Sequence, residues 1–276
     1  MALELGVFVV PEATDLGRTM EQVRLADELG LDLVGIQDHP YQRRFLDTWT
    51  LLAYLAGRTS SIRLVPDVAN LPLRLPAPLA KAAASLDLLS GGRLELGLGA
   101  GAFWDGIVAM GGPRRTPKES VDALEEAIAI LRAFWRGDDP LRVDGEHYAV
   151  RGLQPGPAPA HPIGIWLGAY GPRMLRVTGR LADGWLPSLG FGKLTEDELA
   201  VRHEVVDDAA RAAERDPTEI RRALNVTLAG EPAGWLDTLR RLADKRFETF
   251  IISAEGDPLD VVRRAADLAA QLRDSG

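Results

Sequence analysis

The sequence has no cysteine in its 276 residues. That excludes a disulfide framework, a thiolate nucleophile and a Cys-ligated metal. Histidine is scarce too, with four residues and no clustered spacing, so no metal site is expected. Positive charge is in the minority: 32 Lys and Arg against 40 Asp and Glu leave a net charge of −8. Such a balance argues against a nucleic-acid or anionic-membrane surface. No apolar run approaches the roughly 20 residues that span a bilayer. The start, Met1-Ala2-Leu3-Glu4-Leu5, carries neither a basic segment nor a long apolar one. The expectation is a soluble, cytoplasmic protein acting on a small molecule. What is present is ordinary for a globular chain: 46% hydrophobic and 26% charged residues. The length fits one domain over 1–276, because α/β barrels commonly run to about 250 residues.

Residues with special chemistry recur just after predicted strands. Asp38-His39 follows Leu33-Val34-Gly35-Ile36, and the stretch from Asp67 to Asn70 closes Ile62-Arg63-Leu64-Val65. Gly97 to Gly101 closes Arg93-Leu94-Glu95-Leu96, and Gly168 to Arg173 closes Ile163-Gly164-Ile165-Trp166-Leu167. If these strands are parallel neighbours, their loops converge on one face, which is how a (β/α)₈ TIM barrel builds a site. Helical patterns alternate with the strands: Thr19 to Leu29, Asp47 to Gly57, Ala77 to Leu89, Pro117 to Trp135, Arg173 to Ala182, Thr195 to Glu214, Trp235 to Ala243 and Leu259 to Leu272. Eight such units favour a closed α/β barrel over an open sheet. The rhythm breaks after the fourth strand, between Gly137 and Pro162. There a small hairpin turning at Asp144-Gly145 and a Pro-rich tether form an excursion expected on the active-site side.

Several segments carry two readings. His39 at the end of a barrel strand can exchange a proton near neutral pH, with Asp38 holding its ring or raising its pKa. It can equally be a loop histidine bonded to backbone. The other histidines, His147, His161 and His203, fall in the excursion or on a helix read as a surface one. Gly97, Gly99 and Ala102 satisfy a dinucleotide fingerprint. That motif needs a helix to open at once, however, and Phe103-Trp104-Asp105-Gly106 intervenes, so a glycine run permitting close packing is preferred. Gly168-Ala169-Tyr170-Gly171-Pro172-Arg173 reads as an anion site with exposed N–H groups, a helix start and a cation, or as a capped loop with a surface arginine. Arg43-Arg44 reads as a site for an acidic ligand or, preferably, as a solvated loop pair, and Trp49, Trp104 and Trp166 read as walls of a ring-binding pocket or as packing residues.

Taken together, Asp38-His39, the run from Pro76 to Asp87 leading into Ser90-Gly91-Gly92-Arg93 and Gly97 to Gly101, and Gly171-Pro172-Arg173-Met174-Leu175 with Ala182-Asp183-Gly184-Trp185 resemble the bacterial-luciferase-like superfamily of flavin- and deazaflavin-dependent oxidoreductases. The resemblance implies a TIM barrel with an excursion after strand 4 and a non-prolyl cis peptide after the third strand, matched here by Asp67-Val68. Asp67 departs from the small residue usual at that place. The resemblance further implies that Ala100, Gly101 and Ala102 line the cofactor ring and its sugar-alcohol chain. Gly168, Ala169, Tyr170, Gly171, Pro172 and Arg173 would hold the phosphate, Asn70 would approach the ring edge, and His39, beside Asp38, would be the acid/base. The implied cofactor is F420, with FMN as the alternative, and a homodimer is among the implied assemblies.

The expected reaction is hydride transfer between F420 and a small organic substrate. The alternative is an FMN-dependent monooxygenase using reduced flavin and oxygen. Two readings from other classes are a barrel hydrolase or lyase working through Asp38, His39 and Asp67, and a cofactor-binding sensor without turnover.

Overall fold

The computed structural model describes residues 3–191, 194–230 and 232–274. Its strands are β1 (Glu4–Val9), β2 (Leu33–Ile36), β3 (Arg63–Pro66), β4 (Ala69–Asn70), β5 (Leu96–Gly99), β6 (Leu141–Asp144), β7 (Ala149–Leu153), β8 (Ile165–Leu167), β9 (Gly184–Trp185), β10 (Arg221–Leu228) and β11 (Thr249–Ala254). Its helices are α1 (Leu16–Glu28), α2 (Thr48–Ala56), α3 (Pro76–Ser90), α4 (Trp104–Ala109), α5 (Pro117–Arg136), α6 (Pro172–Leu181), α7 (Glu196–Ala212), α8 (Trp235–Ala243) and α9 (Pro258–Asp274).

The main sheet runs β3-β2-β1-β11-β10-β9-β8-β5-β4, and its pairings are parallel. Since β3 and β4 are two parts of one stave, the ends of this order meet, and a Leu64–Leu94 bridge strengthens the seam. The result is the expected (β/α)₈ TIM barrel. Leu33, Val65, Trp166, Leu186, Ala223 and Ile251 fill its interior, the Leu, Val and Ile side chains among them each stabilising the fold by roughly 1.5–3 kcal/mol. At the amino-terminal end Glu4 bonds Arg63 at 2.6 Å and Arg221 at 2.5 Å, so the floor is closed and the carboxyl ends of the strands are left for a site.

Local chemistry sets the helix ends. Asp47 caps α2 by accepting from Thr50 N at 2.9 Å. Thr116 and Glu119 form a capping box on α5, with Pro117 in the first turn. Gly91 and Gly137 end α3 and α5 in the left-handed conformation, at φ 73° and 81°.

Three expectations change. The excursion is present, but its β6–β7 hairpin packs on α5. Its turn is wider than the Asp144-Gly145 pair, and Glu126 of α5 organises it by accepting from the N–H groups of Glu146, His147 and Tyr148. Second, α4 forms inside the stretch read as a plain loop before α5; at six residues with Gly106 in its middle it has no helical periodicity to detect. Third, His203 is buried, not a surface residue. Its ring lies 5.0 Å from those of both Trp185 and Phe247, and burial with nearby Arg222 and Arg246 pushes its pKa down to about 3. No helix among the described residues is long and apolar enough to cross a membrane.

Candidate active site

A cavity of about 470 Å³ opens at the carboxyl ends of the strands. Its floor is the interruption between β3 and β4. There the Asp67–Val68 peptide is cis, at the bond the resemblance singled out. Val68 is lodged among glycines. A Cβ at Gly99 would come within 2.8 Å of Val68 Cγ2, one at Gly168 within 3.3 Å, and one at Gly97 within 2.2 Å of the Pro66 carbonyl oxygen. The glycine run after the fourth stave is therefore the space that the third stave's bulge occupies. This is the close-packing reading, and Gly99, Ala100, Gly101 and Ala102 line the cavity as well.

Asp67 stands in the floor, 7% exposed. Its Oδ1 accepts from Asn225 Nδ2 at 2.9 Å, while Oδ2 has no partner among the described residues. Burial pushes its pKa up to about 7, offset only in part by the Asn225 hydrogen bond. Gly35 leaves room beside it, since a Cβ there would stand 2.6 Å from Oδ2. Three more buried polar atoms on the cavity wall are without partners: Tyr41 Oη, Asn70 Oδ1 and Asn225 Oδ1.

His39 also lines the cavity, its ring 5.4 Å from that of Tyr41 and 5.1 Å from that of Phe103. Desolvation lowers its pKa below the usual imidazole value, and the charge of Asp38 only partly opposes this. The imidazole is consequently neutral at pH 7 and able to accept a proton. Asp38 does not hold that ring. Fully buried, its carboxylate accepts from Asn70 N at 3.0 Å and from Arg74 Nε and Nη2 at 3.4 Å. Arg74 in turn bonds Asp47 at 2.7 Å and lies over the Trp49 ring at 5.6 Å. Asp38 thus ties the end of the second stave to the segment that carries Asn70.

The Gly168–Arg173 loop divides. Gly168, Tyr170 and Gly171 line the cavity, and Pro172 opens α6, whose amino terminus carries no side-chain cap. That leaves first-turn N–H groups available to an anion. Arg173 instead pairs with Asp122 of α5 and bonds the Lys118 carbonyl at 3.1 Å. Ala169 is buried, its carbonyl accepting from Trp185 Nε1 at 2.9 Å. Tyr170 Oη accepts from Ser188 N at 2.8 Å.

The tryptophan expectation is not met. Trp166 sits in the barrel interior, Trp49 packs under Arg74, and Trp104 lies behind Gly101; none is among the lining residues. The aromatic walls are Phe8, Tyr41, Phe103, Tyr170 and Phe191. Sequence reasoning missed Asn225, although it left a trace: one amide within the otherwise apolar run Ala223-Leu224-Asn225-Val226, on the same face of β10 as the interior residue Ala223.

Residues 3–232 match the model of a family described as luciferase-like monooxygenase. This chain belongs to that family. It is 31% identical over 237 residues to an F420-dependent glucose-6-phosphate dehydrogenase of Gordonia bronchialis, covering 83% of this chain and 69% of the relative. It is 34% identical over 221 residues to a 5,10-methylenetetrahydromethanopterin reductase of Methanolobus tindarius, covering 79% of this chain and 63% of the relative. In structure it resembles the coenzyme F420 dependent tetrahydromethanopterin reductase of Methanopyrus kandleri, with a TM-score of 0.83 over 98% of this chain and 99% of that one. At 16% identity that likeness speaks to the fold alone.

Proposed function

We propose that this chain is an F420-dependent oxidoreductase that passes hydride between the deazaflavin and a small organic substrate. The observation carrying this reading is the cavity: a bulged apolar floor at Val68 beside buried polar atoms without partners, Asp67 Oδ2, Asn70 Oδ1, Asn225 Oδ1 and Tyr41 Oη. Val68 would support the face of a flat heterocycle, and those atoms would hold its polar edge. Gly168, Gly171 and the free amino terminus of α6 suit the phosphate of its tail. The curated relatives, named as F420-dependent or as acting on a pterin, favour F420 over FMN.

When bound, the deazaflavin supplies two-electron hydride chemistry, and the protein supplies position and charge. In the oxidative direction neutral His39 takes the hydroxyl proton of the substrate while hydride leaves its carbon. In the reductive direction protonated His39 returns it. Asp38 and Arg74 fix the backbone of Asn70, and Asn225 fixes Asp67, so that the ring edge meets preset partners.

The test is anaerobic turnover of F420 with alcohols deuterated at the carbinol carbon, with mass spectrometry of the reduced cofactor. Deuterium in the cofactor supports the reading. A requirement for oxygen and FMN would move the site to the monooxygenase alternative that the family description favours.

A further inference from the structure

The walls of the cavity carry a second message, concerning the substrate, and it rests on the hydride-transfer reading above. On one side the rings of His39, Tyr41 and Phe103 form a tilted cluster with centroids 5.1–6.3 Å apart. On the other, Tyr170 and Phe191 pack at 5.2 Å. Phe103 and Phe191 are 54% and 49% exposed at the mouth, an unusual state for large rings in a folded monomer. Met110 and Val108 of the α4 segment add further exposed apolar surface, at 51% and 43%.

Charge points the same way. Among the described residues lining the cavity, the ionisable acids and bases other than tyrosine are Asp38, Asp67 and His39; none is lysine or arginine. Cations beside the cavity are already engaged: Arg74 by Asp38 and Asp47, Arg173 by Asp122, and Arg202 by the Tyr170 carbonyl and Glu198. A substrate phosphate or carboxylate brought between these walls would lose its water without gaining a cation, and it would meet Asp67. A neutral hydrocarbon body loses little hydration and gains contact with the rings.

We infer that the substrate is uncharged and largely hydrocarbon, an alcohol or the matching carbonyl compound on an aliphatic or cyclic body, and that phosphorylated substrates are rejected. The chemistry balances with the proposed cofactor. Oxidation breaks the carbinol C–H bond, its electron pair leaves as hydride to the oxidised deazaflavin, and the hydroxyl proton goes to His39, leaving a carbonyl. In this respect the chain departs from its relatives named as glucose-6-phosphate dehydrogenases.

The test uses the F420-loaded protein and two probe sets: a series of 2-alkanols lengthened one methylene at a time, and glucose 6-phosphate. Each added methylene is expected to lower KM by about fourfold until the walls are filled, following the roughly 0.8 kcal/mol of a buried methylene. Glucose 6-phosphate is expected to give no turnover. Phe191→Ala should flatten the chain-length dependence. Saturation-transfer NMR of the same alkanols reads the dependence without turnover, with or without cofactor. Equal KM values along the series, no alkanol binding by NMR, or turnover of glucose 6-phosphate above that of the alkanols would each overturn the inference. Loss of F420 binding itself, with alkanol binding kept, would instead strike the cofactor reading.

Discussion

Asn225 Nδ2 donates to Asp67 Oδ1 at 2.9 Å across the floor of the cavity, and the second oxygen of that carboxyl is left without a partner among the described residues. A single neutral donor does not compensate the loss of water, so the folded protein holds a proton on Asp67 up to a pH of about 7. The unfolded chain releases it near the usual carboxylate value of 3.8. Between those values the native state binds more protons than the unfolded state, so stability falls as pH rises and levels off above 7. Asp67→Asn removes that dependence. Urea denaturation at pH 5 and pH 8 should show the variant gaining on the wild type by roughly 2.5 kcal/mol at the higher pH. An unchanged difference between the two pH values would contradict the assignment.

His39 gives a kinetic prediction. Burial lowers its pKa, so its base form is already available below the ordinary imidazole value of 6.5. Alcohol oxidation should therefore rise with pH through an apparent pKa under 6.5, while carbonyl reduction falls over the same range. His39→Ala should reduce kcat by about 10²–10⁴-fold, remove that inflection, and leave F420 affinity near the wild-type value. A pH profile that the variant retains would take the proton transfer away from His39.

Much of this arrangement was legible in the chain, for identifiable reasons. The eight staves show because parallel strands buried on both faces read as short apolar runs between helical periods. His39, Asn70 and the glycines show because strand ends are where a barrel places its chemistry. Side-chain partners are another matter, because they depend on contacts between residues far apart in sequence. Asp38 stands beside His39 in the chain, yet it points to Arg74 and Asn70, more than thirty residues on. Arg173 is drawn away by Asp122 on a separate helix. His203 sits on a helix rich in charge, and only the packing of Trp185 and Phe247 reveals it as buried.

Arg173 supplies a prediction of its own. Since its guanidinium is engaged by Asp122 and does not line the cavity, Arg173→Ala should leave F420 affinity within about twofold of wild type. A charge-assisted bond to the cofactor phosphate would be worth about 1.5–3 kcal/mol, so a loss of tenfold or more by equilibrium dialysis would show that Arg173 reaches the phosphate after all.

Arg74 and Asp38 form a buried unit whose removal from one side is costly. Arg74→Ala would leave the fully buried Asp38 carboxylate with Asn70 N as its remaining partner. The expected destabilisation is about 3 kcal/mol or more, and pairing the change with Asp38→Asn should restore part of it. A double variant whose loss equals the sum of the two single losses, by thermal or urea denaturation, would mean that the two side chains are not coupled.

The most direct test of the account is a titration of the purified protein with F420 and with FMN, read by quenching of tryptophan fluorescence. Trp104 is a suitable reporter because it packs against Gly101 at the cavity wall. The account predicts saturable F420 binding, with FMN weaker by tenfold or more, and a loss of F420 affinity in Gly168→Leu, whose side chain would project toward Val68 and the cavity. FMN binding alone, or F420 quenching that Gly168→Leu leaves unchanged, would contradict it.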